Sequence, residues 1–182
     1  MKTLVLLSGG IDSTTVLATM LDKGRECAAL AFNYGQRHAR ELASAKAVAE
    51  HYGTPLEIIN LTGAFSGNSA LLGGKEVPAG VYTQESLSAT VVPGRNLTFL
   101  AIAASRAEVG GFDEIAIGCH AGDHAVYPDC TPGFVAAAGA AIHHSSGVSL
   151  VAPFLLDSKR DIVLLGLALG VPYELTYSCY QG

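Results

Sequence analysis

The chain has 182 residues and a mass of 18.8 kDa, which suffices for one domain with a sizeable core. Hydrophobic residues make up 49% of it, but no apolar run reaches the roughly 20 residues that span a bilayer. The formal net charge of −5, with only 11 Lys and Arg residues, disfavours tight binding to nucleic acid. Because Met1 and Lys2 lead directly into an apolar run, we expect a cytoplasmic protein without a signal peptide or a membrane partner.

Predicted strands and helices alternate along the chain. Apolar runs predict strands near residues 3–8, 27–33, 55–61, 112–119 and 148–155. Helical periodicity, caps and terminal glycines predict helices near residues 12–23, 38–53, 95–111, 131–144 and 158–170. Residues 62–92 lack a clear period and are expected to form a lid or a binding loop. The predicted fold class is α/β: a five-stranded parallel sheet with helices on both faces, in a single domain over residues 1–182.

Polar segments follow several of the predicted strands, at residues 8–13, 33–38 and 119–130. Parallel sheets bind their ligands beyond the carboxyl ends of the strands, at the point where the strand order reverses. We therefore expect these three segments to meet at one ligand site.

The first of them, SGGIDS at residues 8–13, connects the first strand to the first helix. It is not a Walker A loop, because no Gly-Lys-Ser/Thr follows the glycines. Its spacing resembles the pyrophosphatase loop of the N-type ATP pyrophosphatases, whose sheet is Rossmann-like and of the adenine nucleotide alpha hydrolase type. An ordinary Gly-Gly turn with a helix cap is the alternative.

The chemistry of this loop agrees with the resemblance. Gly9 and Gly10 allow the backbone to approach a triphosphate without a Cβ in the way. Ser8 and Ser13 offer hydroxyls, and the start of the helix offers free N–H groups. Asp12 is a candidate ligand of Mg²⁺. Such a cradle suits cleavage of ATP between the α- and β-phosphates.

Two further segments carry polar residues at the ends of predicted elements. FNYGQRH supplies Tyr34, Gln36, Arg37 and His38, either as site residues or as caps of the next helix. VVPGRN places Arg95 and Asn96 at the head of a helix. Pro93-Gly94 can be a simple turn there, and Arg95 can equally pair with a phosphate.

GCHAGDHAVYPDC, residues 118–130, is the densest polar segment. Its spacing fits no standard metal site, so we interpret it as part of a pocket for a polar heterocycle. Carboxylates accept hydrogen bonds from a guanine-like edge, and a tyrosine can stack or donate. Its candidate substrate-binding residues are His120, Asp123, Tyr127 and Asp129.

Farther on, Lys159 lies at a predicted helix start, where a cation opposes the helix dipole. This indicates an anionic ligand, with a solvated surface residue as the alternative.

Taken in order, SGGIDS, YGQRH, VPGRN, YPDC, DSK and SCY resemble the 7-cyano-7-deazaguanine synthase (QueC) family along almost the whole chain. The resemblance implies an ATP-dependent conversion of 7-carboxy-7-deazaguanine and ammonia to the nitrile, through an adenylated acid and an amide. It implies that Asp12, Arg95 and Lys159 are catalytic, and that residues 8–13 with Lys159 hold ATP. The base would be read by the segment that contains Asp123 and Asp129, together with Asn96, with residues 34–38 nearby.

The sequence departs from the family pattern at two places. Gly94 stands where members often carry alanine, which is a mild change. Members continue after SCY with a cysteine cluster whose four sulfurs bind a structural zinc ion. Cys179 is the counterpart of the first ligand, but Cys27, Cys119 and Cys130 lie far from it in sequence and the chain stops at Gly182. We expect the zinc segment to be truncated or absent. A shortened member that stops at the amide is an alternative to the full reaction.

Members of the family form homodimers, so the resemblance implies a homodimer for this protein. Two alternatives remain. A tRNA sulfur transferase would require a reactive cysteine pair and a basic extension that binds RNA, and the sequence shows neither. A nucleotide-sensing module would bind ATP without needing Arg95, Lys159 or the YPDC segment.

Overall fold

The computed structural model describes residues 1–35, 40–65 and 91–178. Within these ranges five strands form one parallel sheet in the order β3-β2-β1-β4-β5. The strands are β1 (Lys2–Leu6), β2 (Glu26–Asn33), β3 (Leu56–Asn60), β4 (Glu114–Ala116) and β5 (Ser149–Val151). The helices are α1 (Ile11–Asp22), α2 (Arg40–His51), α3 (Arg95–Gly110), α4 (Pro132–Ser146) and α5 (Lys159–Ala168). The predicted α/β fold class is confirmed.

Helices cover both faces of the sheet, as the continuous apolar strands require. On one face, Val5, Leu7 and Ala29 pack against α1, α2 and α5. On the other, Leu4, Leu30 and Ile115 pack against α3 and α4. Because β1 lies between β2 and β4, the strand order reverses at its carboxyl end. That end is therefore the place where such a sheet binds its ligand.

β4 and β5 are shorter than the apolar runs that predicted them. β5 ends at Val151, because Pro153 has no backbone N–H and the chain turns there, with Leu155 N–H donating to Ala152 O at 3.2 Å. After β4, Ile117 N–H still donates to Val151 O at 3.0 Å, and the chain then bends at Gly118. A Cβ on Gly118 would lie 3.3 Å from Ser13 N, so this glycine lets the chain after β4 pass close to α1.

The predicted caps are also found. Thr131 Oγ1 accepts a hydrogen bond from Phe134 N–H at 3.3 Å, with Pro132 at the first position of α4. Gly111 ends α3 with φ = 65°.

Most of the predicted lid or binding loop, residues 66–90, lies outside the described residues. None of the described helices is both long enough and apolar enough to cross a membrane.

Candidate active site

The junction between β1 and α1 is held by the two serine hydroxyls predicted to bind phosphate. Ser8 Oγ and Ser13 Oγ lie 3.0 Å apart, and Ser8 N–H donates to Ser13 Oγ at 3.2 Å. Gly10 N–H donates to Ser8 Oγ at 3.3 Å, and Ser13 Oγ donates to Gly10 O at 3.1 Å. These bonds fix the loop in one conformation before any ligand arrives.

Gly9 is required for a reason that the sequence did not indicate. Its φ is +87°, a conformation that favours glycine. A Cβ there would collide with Glu41 O and would lie 2.6 Å from Ala45 N, both in the backbone of α2. Gly9 therefore allows α2 to pack directly on the loop, and this contact sets where the side chains of the first turn of α2 lie.

The N-terminus of α1 is partly occupied by a residue from the far end of the described chain. Ile11 N–H donates to Ser178 Oγ at 3.1 Å, and Tyr177 N–H donates to Gly9 O at 2.9 Å. The N–H groups of Asp12 and Ser13, which have no partner within the helix, meet no acceptor among the described residues. These two donors at the positive end of the helix dipole suit a phosphate oxygen.

Lys159 meets a carboxylate of the same loop. Its Nζ lies 2.5 and 2.6 Å from the two oxygens of Asp12, where α5 packs beside α1. The side chains are 45% and 26% exposed, so both remain open to a ligand from solvent. Ser158 caps α5 in a reciprocal pair with Asp161, which offsets the unfavourable position of a lysine at the helix start.

His120 joins this cluster from the other side. Its Nδ1 accepts from Gly122 N–H at 3.1 Å, so the neutral ring carries its proton on Nε2. Nε2 lies 3.8 Å from Asp12 Oδ2 and 3.6 Å from Asp123 Oδ1. Burial raises the pKa of Asp123 and the nearby Asp12 charge raises it further, whereas His120 lowers it. The predicted residues Asp12, Lys159, His120 and Asp123 thus form one charged cluster.

Asn96 and Asp129, both predicted to bind substrate, bind each other. Asp129 Oδ2 accepts from Asn96 N–H at 3.1 Å, at the start of α3, where the N-cap residue Gly94 has no side chain. In return, Asn96 Nδ2 donates to Asp129 O at 3.1 Å and to Cys130 Sγ at 3.3 Å. One oxygen of Asp129 therefore caps α3 and is not open to a ligand.

Arg95 lies above the ring of Tyr34, with its guanidinium carbon 5.9 Å from the ring centroid. Burial raises the pKa of Glu41 in the first turn of α2, and the positive charge of Arg95 acts against that rise. Burial likewise raises the pKa of Tyr34, and the positive charge of Arg95 again acts against that rise. Arg95, Tyr34 and Glu41 are thus electrostatic neighbours from three different elements.

These groups surround a cavity of about 220 Å³ at the carboxyl ends of β1, β2 and β4. Its polar lining consists of Ser8, Asp12, Ser13, Glu41, Arg95, Asn96 and Asp123. Phe32, Tyr34 and Phe99 supply aromatic surface, and Cys119 and Cys130 supply two buried thiols. Lys159 and His120 reach the cavity through Asp12 and Asp123, whereas Tyr127 and Asp129 do not line it.

Sequence reasoning missed two residues of this site. Glu41 lines the cavity, and Ser178 touches the phosphate loop. An acidic residue in the first turn of the helix after YGQRH could have drawn attention to Glu41. Ser178 belongs to the SCY motif, but nothing in that motif indicates a contact with the first loop. Four of the predicted site residues lie outside the described residues: Gln36, Arg37, His38 and Cys179.

The loop fits a nucleotide triphosphate with magnesium. Two N–H groups are open to phosphate oxygens, Lys159 supplies positive charge, and Asp12 is a partly exposed carboxylate of the kind that Mg²⁺ prefers. Among residues 1–35, 40–65 and 91–178, no group of three or more His, Cys, Asp or Glu side chains is arranged to hold a metal ion by itself. Any magnesium ion would therefore need phosphate oxygens as further ligands.

Known structures share the fold. A U34-tRNA thiolase, NcsA from Methanococcus maripaludis, aligns over 99% of this chain and 61% of its own, with a TM-score of 0.60 and 19% identity. An NMN synthetase from Francisella tularensis aligns over 96% of this chain and 63% of its own, with a TM-score of 0.60 and 17% identity. At 19% and 17% identity, these similarities support the shared fold alone.

Sequence comparison is more specific. A 7-cyano-7-deazaguanine synthase from Methanoregula boonei is 43% identical over the whole of this chain and 86% of its own length. A protein of the same name from Brucella anthropi is 44% identical, over the whole chain and 81% of its own length. The family model described as queuosine biosynthesis protein QueC matches residues 2–182. With this match and these two relatives, the chain belongs to the QueC family of queuosine biosynthesis enzymes.

Proposed function

We propose that this protein uses ATP to convert 7-carboxy-7-deazaguanine and ammonia into 7-cyano-7-deazaguanine. The relatives from Methanoregula boonei and Brucella anthropi are named synthases of 7-cyano-7-deazaguanine, and they align with the whole of this chain and with 86% and 81% of their own lengths. The observation that carries the proposal is the shared cavity. Its lining includes the SGGIDS loop, the adjacent segment after β4, and Arg95 and Asn96 of α3.

The chemistry needs this proximity because carboxylate and amide oxygens are poor leaving groups. Attack of the substrate carboxylate on the α-phosphorus of ATP releases pyrophosphate and forms an acyl adenylate. Ammonia then displaces AMP and gives the amide. The amide oxygen attacks a second ATP in the same way and releases a second pyrophosphate, and loss of both amide N–H protons and of AMP then leaves the nitrile. Both adenylations therefore require the acceptor oxygen beside the α-phosphate.

Residues around the cavity have separate tasks in this scheme. The free N–H groups of Asp12 and Ser13 and the ammonium of Lys159 bind the triphosphate and stabilise charge on the departing pyrophosphate. Arg95 of α3 also lines the cavity and balances charge on the substrate carboxylate or the α-phosphate. Asp12 would hold Mg²⁺, which neutralises phosphate charge when bound.

Three further features remain proposals that rest on family membership. They are a zinc ion for which Cys179 would supply one of four ligands, a homodimeric assembly and free ammonia as the nitrogen source. Metal analysis of the purified protein, sedimentation and activity with ammonium salts test them one by one.

The decisive test of the reaction measures AMP and pyrophosphate with and without the acid and ammonia, together with the mass of the purine product. We expect release of both only when the acid is present, two ATP consumed per nitrile, and a clean nitrile mass. An amide as the final product would identify a shortened pathway. ATP binding without turnover would support a sensing role instead.

A further inference from the structure

The position of Glu41 is set by the packing of α2 on the phosphate loop. It is the second residue of α2, and its carbonyl oxygen is in the backbone stretch that Gly9 allows to pack on the phosphate loop. Its side chain lines the cavity, as do Arg95 and Phe99 of α3. A carboxylate is therefore fixed at the cavity wall beside the loop.

This carboxylate has unused capacity to accept hydrogen bonds. Among residues 1–35, 40–65 and 91–178, no N–H or O–H group donates to it, although burial already raises its pKa. The Glu41 oxygens are not among the buried polar atoms that lack a partner, so water can meet them and a ligand with suitable donors can replace that water. The positive charge of Arg95 favours the ionised form, which accepts hydrogen bonds through both oxygens.

The other carboxylates near the cavity are already engaged. Asp12 binds Lys159, and Asp123 faces His120 at 3.6 Å. Asp129 caps α3 through Oδ2 and does not line the cavity. Within the described part of the chain, Glu41 is thus the cavity carboxylate best placed to receive two new donors.

The kind of ligand follows from hydrogen-bond chemistry. An ionised carboxylate is an acceptor with two oxygens, so it matches an edge that presents two adjacent donors. A guanine-type edge does so with its ring N–H and its 2-amino group. An adenine edge presents one donor and one acceptor and fails to match. The rings of Phe32 and Phe99, stacked 4.1 Å apart, add the apolar surface that a planar base requires.

We propose that Glu41 determines specificity for the base by accepting hydrogen bonds from its ring N–H and 2-amino group. This inference rests on the proposed function and adds to it the residue that reads the purine. It differs from the sequence-based expectation, in which Asp123 and Asp129 supplied the reading carboxylates.

The test compares the wild type, Glu41→Gln and the control Glu50→Gln. Glu50 lies on the same helix and is exposed, so E50Q changes the same charge away from the cavity. Calorimetry measures binding of 7-carboxy-7-deazaguanine and of an analogue that lacks the 2-amino group, and kinetics gives KM for ATP. Melting temperatures confirm that both variants fold.

We expect E41Q to weaken binding of the base by about tenfold to a hundredfold. We also expect it to abolish the preference over the analogue, while KM for ATP and all values for E50Q stay within about threefold of wild type. Unchanged binding of the base by E41Q would overturn the inference, and so would a loss confined to ATP. Tight binding of the base without any turnover by wild type would contradict the proposed function alone.

Discussion

Replacing Lys159 by methionine separates a catalytic role of this residue from a structural one. Methionine keeps the length and apolar stem of the side chain but removes the ammonium that lies 2.5 Å from Asp12. The lysine side chain is 45% exposed and that of Asp12 is 26% exposed, so water screens the pair. The free energy of unfolding is therefore expected to fall by about 1 kcal/mol or less.

The effect on catalysis is expected to be much larger. Loss of one preorganised group that stabilises developing charge lowers kcat by about a hundredfold to a thousandfold, or about 3–4 kcal/mol in activation free energy. The assay is pyrophosphate release at saturating acid and ammonia, with urea denaturation in parallel. Lys46→Met on the exposed side of α2 is the control for a general change in charge.

Two results would refute this reasoning. A fall in kcat of less than about tenfold would show that Lys159 does not stabilise the transition state. A loss of unfolding free energy above about 2 kcal/mol would show that the pair with Asp12 is a major structural contact.

Three other changes test the site through stability. Gly9→Ala is expected to lower the free energy of unfolding by about 2–5 kcal/mol, because it adds left-handed strain and a collision with α2. Gly53 also has a positive φ but has open space around it, so Gly53→Ala is the control and lowers the same quantity by about 1–2 kcal/mol. Urea denaturation measures both. Asp129→Ala removes the cap of α3 and lowers the free energy of unfolding by about 1–2 kcal/mol; no shift in the urea midpoint would exclude a capping role. For Glu41, the folded pKa is raised above its ordinary value of 4.5, so the folded state binds the proton more tightly than the unfolded state. Wild-type stability therefore falls relative to that of Glu41→Gln as pH rises from about 4 to about 7, and a constant difference would show that the carboxyl group is not desolvated.

Features set by neighbouring residues were the ones that the sequence predicted well. The strand and helix order, the central position of the SGGIDS loop and the cap formed by Thr131 and Pro132 all follow from local spacing. Contacts between distant segments were not predictable. Asp129 caps a helix that begins more than thirty residues earlier, and Ser178 touches the N-terminus of α1. Glu41 was missed because its importance depends on how closely α2 packs on Gly9.

The contact between Ser178 and Ile11 has a consequence for the order in which the protein matures. The two residues are 167 positions apart, so a hydrogen bond of the first loop depends on a segment that is synthesised much later. Closing so long a span is a late event in folding. The loop proposed to bind nucleotide therefore lacks this contact until synthesis has passed residue 178.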